Sequence, residues 1–204
     1  MIGILNYGMG NIGSVANMLR YIDCKFLIIE NSEQLKNVEK VILPGVGRFD
    51  KAMENINAMP NMKNTLDYLA LEKKIPMLGV CLGMQILTNF SEEGNVPGLG
   101  WIDGKTHKFK ALNDMKIPHM GWNTVVTNID TQLTHGLNLD DRFYFVHSYY
   151  VKVSEKSSRM MTTDYGINFD SGIVNKNGNI FGVQFHPEKS HRFGIQIFKN
   201  FIEI

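Results

Sequence analysis

The chain has 204 residues, 44% of them apolar and 20% charged, with a formal net charge of +1. This is the composition of a folded globular chain rather than a disordered one, and the length suits one domain, residues 1–204, because domains run to roughly 100–200 residues. With charge near zero and no dense cluster of Lys and Arg, the phosphate-tracking surface that nucleic-acid binding requires is excluded. No apolar run approaches the ~20 residues needed to cross a bilayer, and the start Met-Ile-Gly-Ile-Leu lacks the basic segment of a signal peptide. A cytoplasmic location is expected. The two cysteines, Cys24 and Cys81, have no Cys-x-x-Cys spacing and cannot build a disulfide framework. Each is read as a single thiol, and no metal or cofactor is expected.

Along the chain, Ile2–Leu5 reads as a strand, Ile12–Ile22 as a helix with Asn11 as its cap, and Phe26–Ile29 and Val41–Leu43 as strands, the pattern of parallel βαβ units. In the helix, Ile12, Val15, Ala16, Leu19 and Ile22 recur at helical spacing, so one face is buried. A glycine turn, Pro44-Gly45-Val46-Gly47, precedes a helical region from Phe49 to Glu72 broken near Pro60. The continuous apolar run Ile75–Val80 suits a central strand covered on both faces. Leu82–Phe90 reads as a helix, which leaves Cys81 on the turn between them. The second half changes rhythm. Trp101–Phe109, Trp122–Thr127, Arg142–Val146, Tyr149–Val153, Arg159–Thr163 and Ile180–Phe185 read as short strands, with turns or bends at Met120-Gly121, Tyr165-Gly166 and Asn177-Gly178. A helix from His191 to Ile202 closes the chain. The fold class predicted is α/β, with a largely parallel central sheet flanked by helices and a smaller antiparallel sheet.

Gly79-Val80-Cys81-Leu82-Gly83 has the arrangement of a nucleophile elbow, in which flanking glycines relieve crowding on a sharp strand-to-helix turn. The helix N-terminus that follows favours a thiolate. Cys24, beside a strand, reads as an ordinary buried thiol. Of the six histidines, His186 ends an apolar strand, and Pro187 is expected to keep the next step extended, so that Glu188 points the same way and reaches the imidazole. Cys81, His186 and Glu188 would then form a nucleophile, a base and an orienting acid. His147 is the rival base, but it has no acid two residues away and reads as a strand histidine satisfied by a hydrogen bond. The main-chain N–H groups of Val46, Gly47 and Leu82 offer an oxyanion hole; an ordinary glycine turn is the alternative for the first two.

Gly79-Val80-Cys81-Leu82-Gly83-Met84-Gln85 and Gly182-Val183-Gln184-Phe185-His186-Pro187-Glu188 resemble the two motifs of the class I (triad) glutamine amidotransferases. Over essentially the whole chain the resemblance is closest to the glutaminase subunits of imidazole glycerol phosphate synthase. Its markers are Tyr7-Gly8-Met9-Gly10-Asn11, Pro44-Gly45-Val46-Gly47, Ile117-Pro118-His119-Met120-Gly121-Trp122-Asn123, Phe145-Val146-His147-Ser148-Tyr149-Tyr150 and His186-Pro187-Glu188-Lys189-Ser190. The resemblance implies hydrolysis of glutamine to glutamate and ammonia through a thioester on Cys81. It implies that Gly45, Gly47, Gln85, Glu93, Ser148 and Tyr149 surround the glutamine. It also implies that Asn11, Trp122 and Lys189 lie at the face docking a (β/α)8-barrel cyclase, a heterodimer that passes ammonia onward without meeting bulk water, in histidine biosynthesis. Asn6 stands where the family usually has Asp, and His191-Arg192-Phe193 replaces a small residue after Lys-Ser; both fall near the expected partner face. Three alternatives stay open here: a glutaminase serving a sugar amidotransferase in surface-glycan biosynthesis, a non-catalytic scaffold, and a papain-like protease.

Overall fold

The computed structural model describes residues 1–110 and 115–204. In the first half, strands β1 (Ile2–Leu5), β2 (Phe26–Ile29), β3 (Lys40–Gly45) and β4 (Met77–Cys81) are interleaved with helices α1 (Ile12–Tyr21), α2 (Phe49–Ala58), α3 (Met62–Asp67) and α4 (Leu82–Ile86). In the second come β5 (Phe90–Ser91), β6 (Val96–Pro97), β7 (Gly104–Lys108), β8 (His119–Thr124), β9 (Val126–Thr127), β10 (Arg142–His147), β11 (Tyr149–Val153), β12 (Arg159–Asp164), β13 (Asn168–Val174), β14 (Ile180–Val183) and helix α5 (His191–Glu203). The main sheet runs β2-β1-β3-β4-β14-β13-β11-β7-β5-β6, with β12 and β9 branching from β13. Its first five strands are parallel, and from β13 onward the pairing is mainly antiparallel. β8 and β10 form a separate antiparallel pair. The predicted fold class is the observed one.

Burial of both faces explains the apolar runs. All five residues of β4 are buried. Alternate side chains divide between two cores: Leu5, Val41, Leu43 and Met77 face α2 and α3, whereas Ile4, Ile42, Leu78 and Val80 pack against the buried faces of α1 and α5. Asn11 caps α1, its Oδ1 accepting the Ser14 N–H at 3.1 Å, and the helix buries Val15, Ala16 and Leu19. In α5 a side chain at Gly194 would put a Cβ 1.7 Å from the Pro187 carbonyl oxygen, so glycine lets the helix lie against the Pro187–Lys189 turn.

Several elements differ from expectation, each for a local reason. The helix after Cys81 stops at Ile86, because the Thr88 hydroxyl bonds back to the Gln85 carbonyl at 2.8 Å and Phe90 pairs into β5 against β7. Trp101 lies outside β7 and instead donates its indole N–H to Asp67 at 2.7 Å. Met120-Gly121 is inside β8 rather than at a turn, opposite Val146 and Phe145 of β10. β13 does not show in the sequence pattern, since its polar residues disguise a strand buried from Phe169 on: Asp170 accepts the Val153 N–H at 2.8 Å and Ser171 the Thr163 hydroxyl at 2.8 Å. Among the described residues, no helix is long and apolar enough to cross a membrane.

Candidate active site

β3, β4 and β14 are parallel neighbours, and their C-terminal ends meet at Cys81, the last residue of β4. Crevices at this edge of parallel sheets are where ligands bind in α/β folds. Cys81 takes φ 55° and ψ −108°, a left-handed conformation that costs an L-residue energy. Its neighbours show why the motif needs glycine. A Cβ on Gly79 would sit 2.4 Å from the Gly83 carbonyl oxygen, and one on Gly83 would sit 1.8 Å from the Leu43 carbonyl oxygen. The turn is therefore pressed between its own backbone and β3, and Cys81, 6% exposed, is fixed at its tip.

His186 follows β14 and is anchored by its N–H to the Tyr144 carbonyl at 2.8 Å. Its Nδ1 is 2.7 Å from Oε1 of Glu188, and the two side chains are 1% and 3% exposed. The contact expected from an extended backbone is present, but by another route: Pro187–Lys189 forms a tight 3-10 turn that folds Glu188 back onto the ring. Among the described residues, the buried Nε2 of His186 has no hydrogen-bond partner. Burial by itself would lower the basicity of this ring. The negative charges of Cys81 and Glu188 outweigh it and hold the imidazole above its ordinary value.

A cavity of about 300 Å³ opens beside the sulfur, at the small end of ligand sites. Val46, Gly47, Leu82, Gln85, Glu93, Ser148 and Tyr149 line it together with Cys81. Gly45 does not; it pairs with Cys81 across β3 and β4, and a Cβ there would lie 2.7 Å from the Gly83 nitrogen and from the Tyr7 hydroxyl. Its part is close packing behind the site. The loop is braced by Tyr7, whose hydroxyl donates to the Pro44 carbonyl at 2.6 Å. Burial, reinforced by the charge of Cys81, pushes the Tyr7 phenol well above its ordinary range, so it stays a donor. Glu93 accepts the Phe49 N–H at 2.8 Å, and burial raises its carboxyl above the usual value despite that bond.

His147 also lines the cavity, yet both its nitrogens are engaged. Nδ1 is 2.7 Å from the Tyr149 carbonyl, which only accepts, so this nitrogen carries the proton. Nε2 then accepts from Nδ1 of His119 at 2.9 Å, and Nε2 of His119 faces the Asn123 amide at 3.3 Å. Burial pushes His147 down to about 3 and His119 down to about 4. The pair is neutral and fully bonded.

The residues expected at a partner face are partly brought together. Trp122 is 45% exposed and stacks on His191 at 5.4 Å, and Lys189 lies 5.6 Å over the ring of Tyr144, which is itself 6.0 Å from Trp122. Asn11 is instead engaged in capping α1, which flanks the same segment. Asn6, the departure from the family pattern, accepts the Gly8 N–H at 3.2 Å and donates to Glu30 at 3.2 Å, a second bond that an ionised Asp cannot make. Three participants stand in the sequence motifs without a role assigned from the sequence: Tyr7, His119 and Gln184, whose amide lies 3.6 Å from the Cys81 sulfur. The signal for Gln184 was present, since it is a lone amide ending an apolar strand two residues before His186.

A protein-family model for class-I glutamine amidotransferases matches residues 3–204. The chain belongs to that family. It is 48% identical over 203 residues to imidazole glycerol phosphate synthase subunit HisH 2 of Methanococcus maripaludis, covering 100% of this chain and 99% of the relative. The corresponding figures are 44% over 204 residues for subunit HisH 2 of Pseudomonas aeruginosa, with 100% of each chain covered, and 45% over 205 residues for subunit HisH of Methanocaldococcus jannaschii, again with 100% of each. Among solved structures, PurLQS from Thermotoga maritima superposes with a TM-score of 0.75 at 19% identity, over 99% of this chain and 97% of that one, a likeness of fold.

Proposed function

We propose that this chain, acting as one domain, hydrolyses glutamine with Cys81 as nucleophile, His186 as general acid and base, and Glu188 as the group that orients the ring. The observation carrying this reading is His186 beside a sulfur held in a strained turn, its Nδ1 tied to a buried carboxylate and its Nε2 without a hydrogen-bond partner among the described residues. The thiolate attacks the side-chain amide carbon, and the N–H groups of Leu82 and of the Val46-Gly47 loop stabilise the oxyanion. His186 gives its proton to the departing ammonia, then takes one from the water that cleaves the thioester and releases glutamate. Glu93, a carboxylate in the pocket wall, suits the substrate ammonium, with Gln85, Ser148 and Tyr149 completing the enclosure.

The ammonia is passed to a (β/α)8-barrel cyclase that makes imidazole glycerol phosphate and AICAR in histidine biosynthesis. The full-length relatives named as subunits of imidazole glycerol phosphate synthase support this acceptor. The docking face is the exposed patch of Trp122 and Lys189, with Asn11 at the head of α1. Released ammonia is mostly ammonium at neutral pH and a poor nucleophile, which gives tight coupling its value. Cys81→Ala, assayed with the cyclase present, should abolish glutamine-dependent turnover and leave turnover with added ammonium salts intact. Glutamine-dependent turnover near that of the parent would refute the nucleophile. If the cyclase fails to raise the glutaminase rate while a sugar amidotransferase succeeds, the glutaminase reading stands and the acceptor changes.

A further inference from the structure

Cys81 has a neighbour that the triad leaves out. Gln184 is fully buried, and its Nε2 lies 3.6 Å from the Cys81 sulfur. An amide can be turned about its own axis, so the direction of this contact has to be fixed by what surrounds it. The surroundings fix it. The Tyr149 main-chain oxygen only accepts hydrogen bonds, and Gln85 lies 3.2 Å from it, so the Gln85 atom facing Tyr149 must be its NH2. That same NH2 is 3.1 Å from Gln184, which must answer with its oxygen. The remaining end of Gln184, its NH2, is therefore the end that faces the sulfur.

His147 strengthens the anchor, since its Nδ1–H is bonded to the same Tyr149 carbonyl at 2.7 Å. The chain of bonds starts at a main-chain acceptor, passes through two buried amides and ends as a donor at the nucleophile. No step in it can be reversed without setting two acceptors or two donors against each other. A sulfur that receives an N–H is favoured as the anion over the neutral thiol. The chain also joins the pocket wall to the reacting atom, because Gln85 and Tyr149 line the cavity.

We propose that Gln184 is a positioning residue of this site: its amide, oriented by Gln85 and Tyr149, donates to the Cys81 thiolate and holds the sulfur at the cavity. The proposal deepens the glutaminase reading and rests on it for the consequence to turnover, but the state of the sulfur can be measured without glutamine. Two variants separate the terms. Gln184→Leu removes the donor. Gln184→Glu keeps the shape and an oxygen towards the Gln85 amide, and it places a second oxygen against the sulfur.

The test is the rate of alkylation of Cys81 by iodoacetamide across a pH series, read by peptide mapping so that Cys24 does not contribute. The midpoint of the profile should move to higher pH in Gln184→Leu and further in Gln184→Glu, with the alkaline plateau rate unchanged. At neutral pH, kcat for glutamine hydrolysis should fall at least about tenfold, as expected for losing a hydrogen bond to a charged group. KM should change by less than about twofold, since the interaction is with the nucleophile rather than the bound substrate. A purely structural role for Gln184 would lower the amount of folded protein or the plateau and leave the midpoint in place. Midpoints equal to the parent's in both variants would overturn the proposal. Should Gln184→Leu fail to fold, the near-isosteric Gln184→Glu decides alone. Glutamine hydrolysis surviving in Cys81→Ala would refute the nucleophile assignment and leave the alkylation result standing, so the two readings fail separately.

Discussion

His186 and His147 are 1% and 5% exposed, lie near the same sulfur, and each has its Nδ1 2.7 Å from an oxygen. They are nonetheless driven in opposite directions. Burial of His186 disfavours its charge, but the negative charge of Cys81, joined by the Glu188 carboxylate on its Nδ1, outweighs burial and favours the imidazolium. The oxygen on His147 is a neutral carbonyl, so burial prevails and that ring stays neutral, its second nitrogen already used by His119. The two rings differ in what surrounds them: the charge of Cys81 and a carboxylate for His186, a neutral carbonyl and a second imidazole for His147.

The sharpest way to break this comparison is to delete each ring. His186→Ala should lower kcat for glutamine hydrolysis by about 10²–10⁴, the usual worth of a general acid–base group. His147→Ala should cost much less in kcat and show mainly as lost stability, since it strands the partner nitrogen of His119. Steady-state assays with matched urea denaturation of both variants would check this, and equal losses of kcat would erase the distinction.

Next in size is Glu188→Gln, which keeps the shape and removes the charge. Its loss of kcat should be smaller than that of Cys81→Ala, because in the proposed mechanism Glu188 orients the base and forms no bond to substrate. A loss equal to that of Cys81→Ala would make the carboxylate a chemical participant.

The smallest effect is on stability against pH, where the two rings should act on opposite limbs. His147 and His119 are depressed to about 3 and about 4, against an unfolded value of about 6.5. Between those limits the unfolded chain binds more protons than the folded one, so stability falls as the pH drops below about 6.5. His186 is raised; its contribution is fully present below the unfolded value and is lost as the pH climbs through the raised one. Denaturation midpoints measured across pH should show a shallower acid limb in His147→Gln and a shallower alkaline limb in His186→Gln. Parallel curves for both variants would contradict the opposite assignments.

The parallel half of the fold was legible because its strands are buried on both faces and its helices on one, which leaves unbroken and helical apolar periods in the text. The elbow was legible because only glycine fits the close backbone contacts around Cys81. β13 is hidden because its buried Asp170 and Ser171 are satisfied by Val153 and Thr163 on the neighbouring strands β11 and β12. The His186–Glu188 contact was anticipated for a geometric reason that does not hold, an extended step where the structure has a tight turn. Either geometry puts the Glu188 carboxylate within reach of the His186 ring, so the pairing does not depend on which one forms. Gln184 and His119 stand in the motifs, but their roles are not legible there because a buried amide or imidazole reads as strand filler until its three-dimensional neighbours are known.

The crowding at Gly79 and Gly83 has a consequence for how such chains change over generations. Every amino acid within a single nucleotide change of a glycine codon carries a Cβ, and at Gly83 that atom would lie 1.8 Å from the Leu43 carbonyl oxygen. No small step leads away from these two positions while the sheet keeps its spacing. Serine or alanine at Cys81 adds no bulk to the turn, so an exchange there would leave it standing and silence the thiol chemistry. In a lineage that abandoned glutamine hydrolysis, the cysteine would be free to drift while both glycines stayed. The glycines are thus a record of architecture, and the residue between them is the record of whether the enzyme is still in use.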